Sequence, residues 1–159
     1  RTALQLKLRT ETTQEVIAMN FKELFKNKGI GYWICTGAAV LSLVMAIIVF
    51  ATSGTALPRL HTDGYVIGIV LLLPVIVQAV VTFFPVRFAA LPAVLLYTVA
   101  LGTVILRIPE AVADYFNNVH YQGGDFGTCM VYFVGVLVLV IASVAACFFD
   151  QNKDGKYLI

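Results

Sequence analysis

Four runs of apolar residues, none containing Asp, Glu, Lys, Arg or His, decide what this chain can become. They cover residues 31–52, 65–84, 88–106 and 128–149, with lengths of 22, 20, 19 and 22. A helix rises about 1.5 Å per residue and the hydrocarbon core of a bilayer is about 30 Å thick, so about 20 residues span it. Backbone groups in lipid must pair within their own segment, which makes each run a helix. A transmembrane barrel would instead show alternating segments of about ten residues. Hydrophobic residues make up 60% of the 159-residue chain and charged ones 13%. A soluble domain of this size has too much surface per volume to hide that much apolar area. The expected fold is therefore all-α: an integral membrane four-helix bundle with a short amphipathic helix ahead of it.

The connections agree with four spans. Residues 53–64 carry Gly, Pro and Asp-Gly turn signals, and 85–87 leave room only for a tight helical hairpin. Residues 107–127 form the one long loop, and 150–159 the tail. With four spans, the N-terminal segment, the hairpin and the tail share one side of the membrane. Together they hold nine of the eleven Lys and Arg residues, leaving Arg59 and Arg107 on the other side. The positive-inside rule then places both termini in the cytoplasm of a plasma-membrane protein. Tyr32, Trp33, Phe83, Phe84, Phe88, Phe148 and Phe149 cluster at the cytoplasmic ends of the spans.

The chain opens on Arg1, as a fragment, a processed product or an over-extended reading frame would; Met19 is a candidate native start, in which case residues 1–18 would not belong to the protein. The first apolar run is too long for the core of a cleavable signal peptide, which has about 7–15 residues. Residues 21–28 (FKELFKNK) place Phe21, Leu24 and Phe25 on one helical face, opposite lysines that can meet anionic headgroups. From Phe21 to Trp33, the stretch FKELFKNKGIGYW and the overall layout resemble small uncharacterised four-span membrane proteins of bacteria. The resemblance implies no activity.

Helices in lipid approach closely through small residues. Ala38, Ser42 and Ala46 form such a stripe on the first helix, Gly64 and Gly68 a GxxxG pair on the second, and Gly135 contributes on the fourth. Pro74 sits within the second span. Gln78, one turn later, is the most polar side chain deep in any span. Its amide is expected either to satisfy the carbonyl freed by Pro74 or to bond another helix.

The uncharged spans weigh against proton-coupled transport, which needs a carboxylate or histidine in the membrane, and against voltage sensing, which needs arginines. Basic runs of the nucleic-acid-binding kind do not occur beyond the first thirty residues. Cys35, Cys129 and Cys147 form no CxxC pair and read as small hydrophobes. The surface with most chemistry is the long loop. Pro109 and Glu110 read as the start of a new helix, on which Glu110 and Asp114 would share a face beside Tyr115 and Phe116, with His120 and Asp125 following. Tyr115 and Phe116 suit a protein contact; the carboxylates and His120 suit acid–base work. In the tail, Asp150, Asn152 and Asp154 match the opening of a calcium loop, D-x-N-x-D-G, but Leu158 stands at position nine and no glutamate at position twelve. No metal and no cofactor is expected.

Three functions follow from this reading. The first is a non-enzymatic accessory, assembly or scaffold subunit that binds a membrane-protein partner or a second copy. The others are a small oligomeric transporter or channel component using Gln78, and a membrane enzyme using the 107–127 loop.

Overall fold

The computed structural model describes residues 25–56, 61–83, 88, 90–118 and 125–153, with the side chains of 53–56 and 61–63 excepted. The described residues form four long helices: α1 (Ile30–Ala56), α2 (His61–Phe83), α3 (Ala90–Phe116) and α4 (Phe126–Cys147). All four are long and apolar enough to cross a bilayer. Valine and isoleucine crowd α4 and would favour strands in water. In lipid no other chain satisfies the backbone, so helix prevails. The first half of the expected amphipathic helix at 21–28 lies outside the described residues; Phe25 and Lys26 are helical, and Asn27 turns.

The helices close into a ring, in which α1 packs on α2 and α4, and α3 packs on the same two. Tyr97, Tyr132, Ile67, Leu71, Leu139, Val49 and Val136 fill the core. Outside, the rule for soluble proteins is inverted: Ile47, Leu95 and Leu106 are 61–73% exposed, an apolar exterior that only lipid covers without cost. The small residues face inward. Ala38, Ser42 and Ala46 are buried, Gly68 lies against the Phe50 ring, and Gly135 receives the end of the Met45 side chain. Gly64 is buried as well.

Several boundaries differ from the sequence reading: α1 runs on to Ala56 rather than ending at Thr52, and α4 covers Phe126–Cys147 rather than 128–149. The second helix begins at His61 rather than Tyr65. More consequential, α3 does not stop at Leu106 and restart at Pro109; it runs unbroken through Pro109 to Phe116. Proline removes one backbone donor and would end a solvated helix. Here Ala111 is fully buried in the main core and Ile108 packs against that core. Arg107 also reaches Glu110 at 3.4 Å, one turn on. These contacts outweigh the lost bond.

Candidate functional site

Polar side chains tie the bundle at three levels, with α1 in each. Near the end that carries the termini, Gln78 donates to Thr36 Oγ1 at 2.9 Å and to the Tyr32 carbonyl at 3.4 Å. Of the two roles expected for Gln78, the amide therefore takes the interhelical one. Tyr32 OH and Thr82 Oγ1 pair at 2.9 Å; Thr82 Oγ1 donates to the Gln78 carbonyl, so Tyr32 is the donor to Thr82. In the middle, Ser42 donates to the Leu71 carbonyl at 2.6 Å, next to the carbonyl that Pro74 deprives of its donor, and Tyr97 OH reaches the Ala38 carbonyl at 3.4 Å. Toward the far end, Tyr132 OH donates to Thr52 Oγ1 at 2.5 Å, while Thr52 Oγ1 donates to the Ile48 carbonyl. Buried polar groups in lipid are costly unless paired, and these pairs join one helix to the next.

At the terminal end the chain closes on itself. Gly29 N–H donates to the Gln151 carbonyl at 2.8 Å, Gly31 N–H to the Asp150 carbonyl at 3.2 Å, and Lys153 N–H to the Asn27 carbonyl at 2.9 Å. The first N–H groups of a helix have no partner inside it, so the tail carbonyls cap α1. Gly29 and Gly31 make this approach feasible. A Cβ on Gly29 would collide with the Asp150 carbonyl, and one on Gly31 would lie 2.5 Å from the Phe149 oxygen. Gln151 is buried and donates from Nε2 to the Ala146 carbonyl at 3.2 Å; its Oε1 has no hydrogen-bond partner among the described residues. Lys28 is 5% exposed, yet pairs with no carboxylate among the described residues. Its Nζ donates to the Thr82 carbonyl at 3.0 Å and sits 4.8 Å from the Tyr32 ring centroid. Thr82 is in the last turn of α2, where free carbonyls and the helix dipole favour a cation. That accounts for the buried charge, although burial still pushes the Lys28 ammonium below the ordinary lysine range.

At the far end, the residues expected on a separate loop helix stand on the extension of α3. Glu110 pairs with Arg107, and Asp114 lies one turn beyond Glu110. Tyr115 stacks on Phe126 of α4 at 4.8 Å and meets Phe116 edge-on at 5.6 Å. Asp125 caps α4, accepting from Thr128 N–H at 2.8 Å and Thr128 Oγ1 at 2.6 Å. The Thr128 hydroxyl, then its N–H, hold the Asp125 carboxyl below the usual range. His120 lies outside the described residues, as does Asp154 of the tail. Asp150 and Gln151 spend their backbone carbonyls on α1, and Asn152 pairs with Lys28 in an antiparallel bridge. Among the described residues no three His, Cys, Asp or Glu side chains gather as metal ligands would.

Gln78, the small-residue stripes and the far-end aromatics are singled out by the sequence alone. Gly29, Gly31, Lys28 and Gln151 are not, because their roles depend on contact between opposite ends of the chain.

No protein-family model matches this chain, and neither a curated protein nor a solved structure does. On its own geometry the chain is a multi-pass integral membrane protein, built as a bundle of four apolar helices.

Proposed function

We propose that this chain is a non-enzymatic accessory, assembly or scaffold subunit of a membrane complex, lodged in the plasma membrane with both termini in the cytoplasm. The observation that carries the reading is how the intramembrane polar groups are used. Gln78, Ser42, Tyr97, Thr52 and Tyr132 each bond another helix. Their hydrogen bonds hold the bundle together, whereas a conducting path needs polar groups turned toward the passing solute. The transporter reading relied on Gln78, and that amide is bound to Thr36. The enzyme reading relied on Glu110, Asp114 and His120, and Glu110 is paired with Arg107. The lysine and arginine distribution supports the orientation.

Purification of the tagged full chain in mild detergent, with mass spectrometry of what elutes, tests this reading. A membrane protein recovered at fixed stoichiometry is the expected result. A lone homo-oligomer that conducts in liposomes, with flux abolished by Gln78→Leu, overturns it in favour of transport.

A further inference from the structure

The clasp between residues 27–31 and 150–153 is held by backbone bonds, and two costs are built into it. Gln151 is buried, and its Oε1 lacks a hydrogen-bond partner among the described residues. Lys28, just as buried, keeps a full charge out of water. An ammonium has three protons to donate, and this one makes a single hydrogen bond among the described residues, to the Thr82 carbonyl. The Tyr32 ring adds attraction but no conventional acceptor. Both costs vanish when the tail lifts and water reaches the two side chains. Until then the tail aims Lys28 inward. Lys28 faces Asn152 in the antiparallel bridge, and on either side of it the Asn27 carbonyl accepts from Lys153 N–H and Gly29 N–H donates to the Gln151 carbonyl. The backbone at Lys28 is thus fixed, and with it the direction of its side chain. Lys28 also stands just ahead of the span that opens at Ile30. Lysines there ordinarily point their ammonium out to the headgroups. Phe25 and Trp33, stacked at 6.2 Å, are aromatic neighbours of the kind that zone favours. Two acceptors therefore compete for one ammonium: the carbonyl end of α2 and the phosphate of an anionic headgroup.

We propose that the clasp is a latch set by Lys28, closed while its ammonium sits on the end of α2 and opened when an anionic phospholipid draws that ammonium out to the membrane surface. Opening frees the N–H groups of Gly29, Gly31 and Lys153, uncaps the start of α1 and separates the tail from the N-terminal segment. The lipid shifts the balance because it meets the ammonium only in the open state, so the charge of the bilayer sets the position of the tail.

The test follows hydrogen exchange at the amides of Gly29, Gly31 and Lys153, using the full chain in nanodiscs of phosphatidylcholine alone and of phosphatidylcholine with phosphatidylglycerol. Exchange is expected to be roughly fivefold faster in the anionic discs, the weight of one lysine at such a surface. Lys28→Met keeps the length of the side chain and removes its charge, and it is expected to exchange equally slowly in both. Lys26→Gln, a change at an exposed neighbour, is expected to leave the response intact. Folding of both variants is checked by far-ultraviolet circular dichroism and elution volume. Equal rates for the wild type in the two discs overturn the proposal. So does a response that survives Lys28→Met, or one that Lys26→Gln abolishes, which would be general surface attraction. Should Lys28→Met fail to fold, salt decides on the wild type: high ionic strength is expected to slow exchange in the anionic discs to the rate in phosphatidylcholine, and no slowing overturns the latch. Inorganic phosphate added to the phosphatidylcholine discs is expected to change nothing; acceleration there overturns the assignment to lipid.

Discussion

Replacing Gly29 or Gly31 by alanine is expected to lower the apparent melting temperature in detergent by about 5–10 °C, while Gly37→Ala and Gly102→Ala leave it unchanged or raise it slightly. The difference lies in what a single methyl group meets. At Gly29 it meets the Asp150 backbone, and at Gly31 the Phe149 and Ala146 carbonyls. Backbone cannot swing aside as a flexible side chain can, so the tail must lift away and release its bonds to Gly29 and Gly31. Overpacking of this kind costs about 1–3 kcal/mol, and in a chain of this size each kcal/mol moves the transition by about 2–4 °C. Gly37 and Gly102 have nothing within 4 Å of the added group, and alanine is the better helix former by about 1 kcal/mol. Size-exclusion profiles after a heating series measure all four. Equal loss in the four variants would mean that the terminal clasp does not hold α1.

Ser42→Ala is expected to destabilise by about 1–2 kcal/mol, and Thr98→Ala by less than about 0.5. Both remove one hydroxyl from a span. Ser42 is fully buried and donates across to Leu71 on α2, beside the carbonyl that Pro74 leaves without its helical partner. Its loss breaks this tie between α1 and α2 and leaves a small void beside the Val70 carbonyl, which Pro74 deprives of its donor. Thr98 faces outward and donates only to Val94 in its own helix, whose carbonyl keeps its backbone partner. Steric trapping or chemical denaturation in mixed micelles gives the comparison. Matching losses would show that the interhelical bond at Ser42 adds nothing beyond local packing.

Span number and type were legible because lipid imposes the strongest sequence constraint a fold can carry: some twenty uncharged residues for each crossing. The inward set Ala38, Ser42 and Ala46 was legible for a related reason, since small residues are what close helix packing requires. Arg107 and Pro109 misled in the other direction. Arg107 ends the apolar run and Pro109 reads as the start of a new helix, and only the burial of Ala111 and Ile108 against the core shows why α3 continues. Gly29 and Gly31 could not be singled out, because the carbonyls that crowd them belong to residues about 120 positions later and no local pattern announces that meeting. For Lys28 the lysine-rich stretch suggested a headgroup contact, whereas its ammonium turns inward to the end of α2.

The bundle makes four crossings, which set the 27–31 and 150–153 clasp at one face of the membrane and the α3–α4 tip at the other. The most direct measurement labels single cysteines at Asn118 and Lys153, in a background lacking Cys35, Cys129 and Cys147, using an impermeant maleimide on intact cells and on inverted vesicles. The account predicts that Asn118→Cys reacts in intact cells and Lys153→Cys only in inverted vesicles. Labelling of both from the same side would contradict the four-span bundle.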